Sequence, residues 1–325
     1  MRVVRYHEHG GPDVLRIEEA DVPTPGDGQV LLRTEAIGVN FIATELRRGS
    51  EFFPNRLPAI PLGDVVGTVE AVTSGVTTVS VGDRVAAWGV KEAYADYVVA
   101  DSAWLRPLPA SIDAGAASAL ASPAQVAYNI LRVGRLSPGE TVMVHAAAGS
   151  IGHLAVQLAK LEGAGTVIAT AGSPAKLEFA RSLGADVVVD YREPTWPDAV
   201  RAAVGDRGVD VVLDSVEGTV FQPSLELLAP FGRLVYYGFA GASGETARAS
   251  MVDLFGIKYV VGTSFDQWVT HRPEEAEAGL IKLIELVRTG KLRTAVHATL
   301  PLTDAAKAHQ ILENREQLGR VLLVP

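Results

Sequence analysis

From residue 141 to residue 262 the chain alternates short, uninterrupted apolar runs with stretches of helical spacing, an order that few folds accept. The apolar runs cover 141–145, 166–169, 186–190, 209–214, 233–237 and 258–262. The helical stretches cover 152–161, 174–183, 196–204 and 222–228. A strand that is apolar at successive positions buries both faces, which places it in a parallel sheet covered by helices. Six such strands predict an α/β, doubly wound Rossmann domain with a parallel six-stranded sheet.

The flanking regions have a different texture. The first hundred residues are β-rich, with short alternating runs at 30–32, 67–72, 84–87 and 96–100 separated by Gly, Pro and Asp turns. One helix is predicted at 40–48, ending at Gly49. At the other end, an amphipathic helix at 274–289 closes at Gly290, followed by a helix at 303–313 and a strand at 320–324. A chain that ends in a strand after leaving the Rossmann repeat is expected to rejoin the first domain's sheet. A length of 325 residues suggests two domains. The expected bounds are 1–120 with 264–325 for the first domain, and 121–263 for the Rossmann domain.

Composition removes several function classes. With 48% hydrophobic and 21% charged residues the chain is globular, not disordered. Its formal charge is −9 and it has no cluster of Lys and Arg, so no nucleic-acid partner is expected. It has no cysteine, which excludes disulfides, thiolate nucleophiles and Cys-based metal sites and fits a reducing compartment. The charged, alternating N-terminal segment is not expected to be a signal peptide. An uncharged stretch at 114–131 is Ala-rich and broken by Gly115, Pro123, Gln125 and Asn129, so it reads as interdomain core and not as a membrane span. A cytoplasmic protein with no membrane contact is expected.

The strand at 141–145 runs directly into Ala146-Ala147-Ala148-Gly149-Ser150-Ile151-Gly152 and then a helix, the context a phosphate-cradling loop requires. Gly149 lets the backbone approach a pyrophosphate, and Gly152 lets the helix pack closely on the sheet. The first glycine of the usual fingerprint is Ala147 here, so the loop alone would also suit a tight turn without a ligand. The β–α repeats around it favour a nucleotide. A site selective for NAD places Asp or Glu at the end of the second strand. Here Ala171-Gly172-Ser173-Pro174-Ala175-Lys176 carries no carboxylate. Ser173 is a natural N-cap and Pro174 a natural first helical residue. A 2′-phosphate would meet that helix N-terminus, the Ser173 hydroxyl and the Lys176 ammonium, with Tyr191 closing the pocket. Lys176 and Tyr191 taken singly would serve equally well as surface residues. Together with the missing acid they point to NADP(H).

These segments resemble the medium-chain dehydrogenase/reductase superfamily, nearest its zinc-free NADPH:quinone oxidoreductases of the zeta-crystallin type. The resemblance also rests on Gly10-Gly11-Pro12-Asp13-Val14-Leu15, Ala36-Ile37-Gly38-Val39-Asn40-Phe41, Gly82-Asp83-Arg84-Val85, Tyr94-Ala95-Asp96-Tyr97, Leu183-Gly184-Ala185, Asp190-Tyr191-Arg192, Asp214-Ser215-Val216 and Gly319-Arg320. It runs in order over essentially the whole chain. It implies a GroES-like β-barrel domain, an inserted Rossmann domain, a cleft between them and a homodimer formed through the Rossmann sheet. It implies cofactor contacts at Asn40, Ala148, Gly149, Ser150, Ile151, Gly152, Gly172, Ser173, Lys176, Tyr191 and Ser215, and near Gly238, Phe239, Ser264, Phe265 and Arg320. Zinc-bearing relatives carry Cys where this chain has Asn40 and a His–Glu pair where it has Gly63-Asp64. They also carry a four-Cys lobe that is missing after Val85. The seven histidines show no ligand spacing, so no metal is expected. Three departures make the implied pocket more apolar: Ala43 replaces an Asp, Phe52-Phe53 a Tyr, and Val126 a Thr.

With no thiol, metal or Ser–His–Asp set, the chain is expected to contribute placement while the cofactor contributes the reactive carbon. A small-molecule quinone or α,β-unsaturated carbonyl (enone) is the expected acceptor. Asn40 is the candidate catalytic side chain, an amide donor near the nicotinamide, and a helix N-cap role for it stays open alongside. Tyr128 is a candidate proton donor and equally a core residue. Two other readings compete: an enoyl-thioester reductase, and an NADPH-binding structural or sensor protein that does not turn over.

Overall fold

The computed structural model describes residues 1–51, 54–241 and 247–325. Its first unit, Met1–Ser122 with Thr294–Pro325, begins with β1 (Arg2–Arg5) and β2 (Arg16–Glu19), an antiparallel pair. β3 (Gln29–Gly38) follows and buries alternate side chains, the pattern of a strand with one face on a core. Helix α1 (Phe41–Arg48) ends at Gly49, whose φ of 86° needs a residue without Cβ. Then come β4 (Gly63–Val72), β5 (Arg84–Val90), β6 (Tyr97–Asp101), β7 (Leu105–Pro107) and α2 (Ala114–Ala121).

The second unit, Pro123–Arg293, opens with α3 (Pro123–Val133) and enters the repeat. Its strands are β8 (Thr141–Val144), β9 (Thr166–Ala171), β10 (Val187–Asp190), β11 (Val209–Asp214), β12 (Leu228–Tyr236) and β13 (Tyr259–Gly262). Between them lie α4 (Gly152–Leu161), α5 (Pro174–Ser182), α6 (Trp196–Val204) and α7 (Phe221–Glu226). After β13 come α8 (Phe265–His271) and α9 (Pro273–Arg288). The sheet runs β10-β9-β8-β11-β12-β13 with every pairing parallel. Val142, Met143, Val144, Val167, Ile168 and Ala169 are completely buried, which is why these strands read as continuous apolar runs. Chain order reverses between β8 and β11, the position at which doubly wound sheets open a crevice.

The chain then returns to the first unit through β14 (Val296–Pro301), α10 (Ala305–Glu313) and β15 (Arg320–Val324). The sheet there runs β14-β15-β3-β4-β5-β7, with β6 also paired to β3. β15 lies antiparallel to the end of β3, with Leu322 opposite Gly38 and Leu323 opposite Ile37. The final strand therefore rejoins the first sheet as its position after the repeat predicts.

Two features differ from the sequence reading, the unit to which 264–293 belongs and the start of β12. Residues 264–293 pack with the second unit, not the first. A Cβ on Gly279 of α9 would stand 2.7 Å from the Tyr128 ring of α3, and Gln157 of α4 bonds the Arg293 backbone through both its amide atoms. The stretch 114–131 is two helices, broken at Ser122, and each belongs to a different unit. β12 begins at Leu228, not at 233, because a register shift opposite Val209/Val211 absorbs the extra residues and sets Phe231 at φ 65°. Among the described residues no helix is long and apolar enough to cross a membrane.

A buried polar chain ties α1 to α10. Arg47, with a side chain 0% exposed, donates to Gly10 O at 2.5 Å and to His309 Nδ1 at 3.3 Å, and pairs with Glu313. A guanidinium only donates, so His309 Nδ1 is an acceptor and its protonated Nε2 donates to Tyr94 Oη, 3.0 Å away. Burial, with the Arg47 charge beside it, lowers the His309 pKa to about 3. Below the ordinary histidine value of about 6.5 the unfolded chain binds a proton that the folded chain refuses, so this contribution is complete above that value. It is lost as pH falls, at up to about 1.4 kcal/mol per pH unit. Urea unfolding at pH 7.5 and 5.0 should show the wild type losing more stability on acidification than His309→Gln, which keeps an acceptor and a donor.

Candidate active site

The C-terminal edge of the parallel sheet gathers most of the predicted site residues. Ala148, Gly149, Ser150, Ile151 and Gly152 follow β8; Gly172, Ser173 and Lys176 follow β9; Tyr191 follows β10; and Ser215 follows β11. Gly238 and Phe239 follow β12, and Ser264 and Phe265 follow β13. Asn40 and Arg320 belong to the first unit, and Phe52 and Phe53 lie outside the described residues.

The loop after β8 closes on itself. A Cβ at Gly152 would stand 2.3 Å from Ala146 O and 2.8 Å from Ala147 Cα, so glycine is required by the loop's own backbone, not by the sheet. Ala147 N donates to Thr170 O at 3.1 Å, which ties the loop to β9. His153 Nδ1, buried on α4, bonds Gly149 O at 2.8 Å. The residue in the cap position of α4 is Ile151, which has no acceptor to give the first turn. That helix N-terminus, with its partial positive charge, is the arrangement an anionic ligand completes. A dinucleotide pyrophosphate fits it.

His145 is buried beneath the loop, within 2.7 Å of both Thr170 Oγ1 and Ser224 Oγ. Ser224 donates its proton to Val220 O, so it accepts from His145 Nε2 and the imidazole is neutral in that tautomer. Burial lowers its pKa, and Asp214 opposes the shift only in part. Among the described residues no group of three or more His, Asp or Glu side chains comes together to hold a metal ion.

The end of β9 has the predicted local structure. Ser173 caps α5, its hydroxyl accepting from Lys176 N at 3.4 Å, and Pro174 is the first helical residue. Tyr191 covers this turn, its hydroxyl 3.1 Å from where a Cβ of Gly172 would project. Beside it lies a cation absent from the candidates above. The Arg192 Cδ is 3.4 Å from the same point, and its guanidinium holds Asp190 through contacts of 3.0 and 2.6 Å. That pairing depresses the Asp190 pKa and raises that of Arg192. The strand register, Asp190 opposite Ala171, carries Arg192 to the Gly172 turn.

Past β11, Asp214 Oδ1 accepts from Val216 N at 2.7 Å and Glu217 N at 3.0 Å. Glu217, buried at φ 64°, accepts from Tyr236 Oη at 3.1 Å and Ala247 N at 2.6 Å. Burial and this carboxylate push Tyr236 up to about 12. Tyr128 is taken up in packing, with Trp268 6.3 Å away and the Lys282 ammonium 5.7 Å over its ring.

In the first unit, Asn40 occupies the cap position of α1 without capping it. Its Oδ1 accepts instead from Arg320 Nη1 at 3.5 Å, and Arg320 Nη2 donates to Asp64 Oδ2 at 2.8 Å.

Two family models match the chain, the alcohol dehydrogenase GroES-like domain over residues 26–110 and the zinc-binding dehydrogenase over residues 150–285. Quinone oxidoreductase 1 of Escherichia coli is 34% identical over 330 residues, 99% of each chain. A 2-haloacrylate reductase of Burkholderia is 34% identical over 331 residues, covering 98% of this chain and 97% of that one. The structure of Escherichia coli quinone oxidoreductase complexed with NADPH superposes with a TM-score of 0.92 at 32% identity, covering 100% of both chains. The protein belongs to the medium-chain dehydrogenase/reductase superfamily and, within it, to the quinone oxidoreductase family.

Gly152→Ala forces the loop backbone apart. It should cost about 1–3 kcal/mol, the range for overpacking, read as a lower urea midpoint than Gly149→Ala gives, since a Cβ at 149 meets only Ala146 O at 3.2 Å.

Proposed function

We propose that the protein is an NADPH-dependent reductase that passes hydride to a quinone or an α,β-unsaturated carbonyl compound. The observation that carries this reading is the turn after β9, where Ser173 caps α5 beside Lys176 and no carboxylate follows the strand. An acid there would take a ribose 2′-hydroxyl and repel a 2′-phosphate. Arg192 adds a second cation and neutralises Asp190 at the end of β10. The NADPH complex of the Escherichia coli relative supports the same cofactor, and the relative named 2-haloacrylate reductase supports an activated alkene as acceptor.

The loop from Ala148 to Gly152 receives the pyrophosphate, and Ser173, Lys176, Tyr191 and Arg192 receive the 2′-phosphate end. When bound, the reduced nicotinamide supplies the hydride. The chain's own contribution is to hold an acceptor in a place from which water is excluded and to meet the negative charge that develops on its oxygen. Asn40 provides an amide N–H for that oxygen.

NADPH consumption measured with 1,4-benzoquinone, 9,10-phenanthrenequinone and a simple enone tests the reading. Turnover with at least one acceptor and a lower KM for NADPH than for NADH is expected. Tight NADPH binding without turnover would leave the binding-only reading standing, and an equal KM for NADH would remove the 2′-phosphate site. Lys176→Ala and Arg192→Ala should each weaken NADPH binding about tenfold, the loss of one charged hydrogen bond, and leave NADH within about twofold.

The same reading places the enzyme in the cytoplasm as a homodimer. β13 is the last strand of its sheet, and the segment leading to it exposes Met251 (78%), Val252 (75%) and Phe255 (81%) together with Ile257 and Tyr259. Apolar side chains so exposed beside a sheet edge are suited to cover by a second copy. Light scattering should give a dimer for the wild type and a folded monomer for Phe255→Asp.

A further inference from the structure

We propose that Asp64 and Arg320 are positioning residues for Asn40, holding its carboxamide so that the N–H₂ end faces the substrate. The inference rests on the role given to Asn40 above and names what sets its orientation. The geometry is framed by three neighbouring strands. Arg320 begins β15, Asp64 stands near the start of β4, and Asn40 lies two residues past the end of β3, which pairs with both. Val39 N donates to Val321 O at 3.0 Å and fixes the chain one residue before Asn40.

The chemistry decides the orientation. A guanidinium has only donors, so the Asn40 atom facing Arg320 Nη1 at 3.5 Å is its carbonyl oxygen. The amide nitrogen is on the other branch of the same planar group and is turned away from Arg320. Asn40 is partly exposed, whereas the pair behind it is sealed: Arg320 is 1% and Asp64 0% exposed. Asp64 Oδ2 accepts from both Arg320 Nη2 and Ser122 Oγ at 2.8 Å, which anchors the guanidinium. The slot for it exists because residue 38 is glycine, where a Cβ would stand 1.6 Å from Nη2.

Stability alone does not account for this arrangement. Asparagine is among the best N-caps, yet Asn40 gives α1 no cap bond. A buried ion pair is generally no more stabilising than apolar residues of the same volume. The cluster also leaves Asp64 Oδ1 and Ser118 Oγ buried without a partner. Local preferences are broken where a functional group must be aimed.

The test is a cycle of Asp64→Asn and Asn40→Ala, measuring kcat with quinone at saturating NADPH, NADPH Kd by fluorescence, and thermal midpoint. Asp64→Asn should lower kcat about tenfold, less than removal of an oxyanion donor, with NADPH Kd within about twofold. In the Asn40→Ala background it should cost nothing further, which a purely structural role would not produce. Equal losses in both backgrounds, or no loss with Asn40 present, overturn the positioning role while leaving Asn40 itself in place. Unchanged kcat in Asn40→Ala alone removes the role of Asn40 and this inference with it. If Asp64→Asn does not fold, Ser122→Ala removes one bond to Asp64 without leaving a buried charge unpaired. It should lower kcat two- to threefold, roughly, only when Asn40 is present, and equal effects in both backgrounds again overturn the proposal.

Discussion

Where β8 ends, the backbone turns so tightly that a single methyl at position 152 would reach into the Ala146 carbonyl. The geometry of the sheet edge follows from that closure. It starts α4 at Gly152, brings the helix N-terminus to the rim of the sheet, and lets His153 clasp Gly149 O from below. The bond from Ala147 N to Thr170 O locks the loop to β9, so the turn at Gly172 is held in fixed relation to the loop. This end of the crevice is thus a backbone construction. Ser173 caps α5 beside it, and Tyr191 and Arg192 pack over Gly172.

The elements that were legible in the sequence are those whose pattern is local. Six apolar runs could be assigned to a parallel sheet because its central strands are buried on both faces and leave few polar positions, and Ser173-Pro174 announced a helix start by its capping chemistry. The placement of 264–293 was not legible: an amphipathic helix declares that one face is buried without saying against what. The answer lies at Gly279, which makes room for the Tyr128 ring, and at Gln157, whose amide reaches the Arg293 backbone. Arg192 was missed for a related reason. An arginine two residues from an aspartate looks like a solvated surface pair, and only the register of β10 on β9 carries it to Gly172. For Asn40 the sequence left capping and donation open. The structure turns its side chain to Arg320, 280 residues away.

Buried charge is used in the first unit to define positions. Arg47 and Arg320 are almost wholly enclosed, and each meets a carboxylate and a ring or amide that would otherwise have several orientations: His309 in one case, Asn40 in the other. Such groups cost desolvation and return little net stability. They do discriminate sharply between correct and incorrect packing, because any misplacement strands an ion. Glu217 follows the same logic in the second unit. A non-glycine residue at φ 64° stores strain of about 1–3 kcal/mol, and the carboxylate offsets it by bonding Tyr236 and Ala247.

The descent of β15 onto β3 also orders events in time. Residues 123–293 form their own unit, and every strand of the six-stranded sheet precedes, in chain order, the return to the first unit. The seven-stranded sheet lacks two members until the chain beyond 294 has been made. Until then β3 has an open edge at Ile37 and Gly38. When β15 joins that edge it delivers Arg320 to Asp64 and Asn40, so the polar cluster around Asn40 is assembled from segments that lie on either side of the whole Rossmann unit.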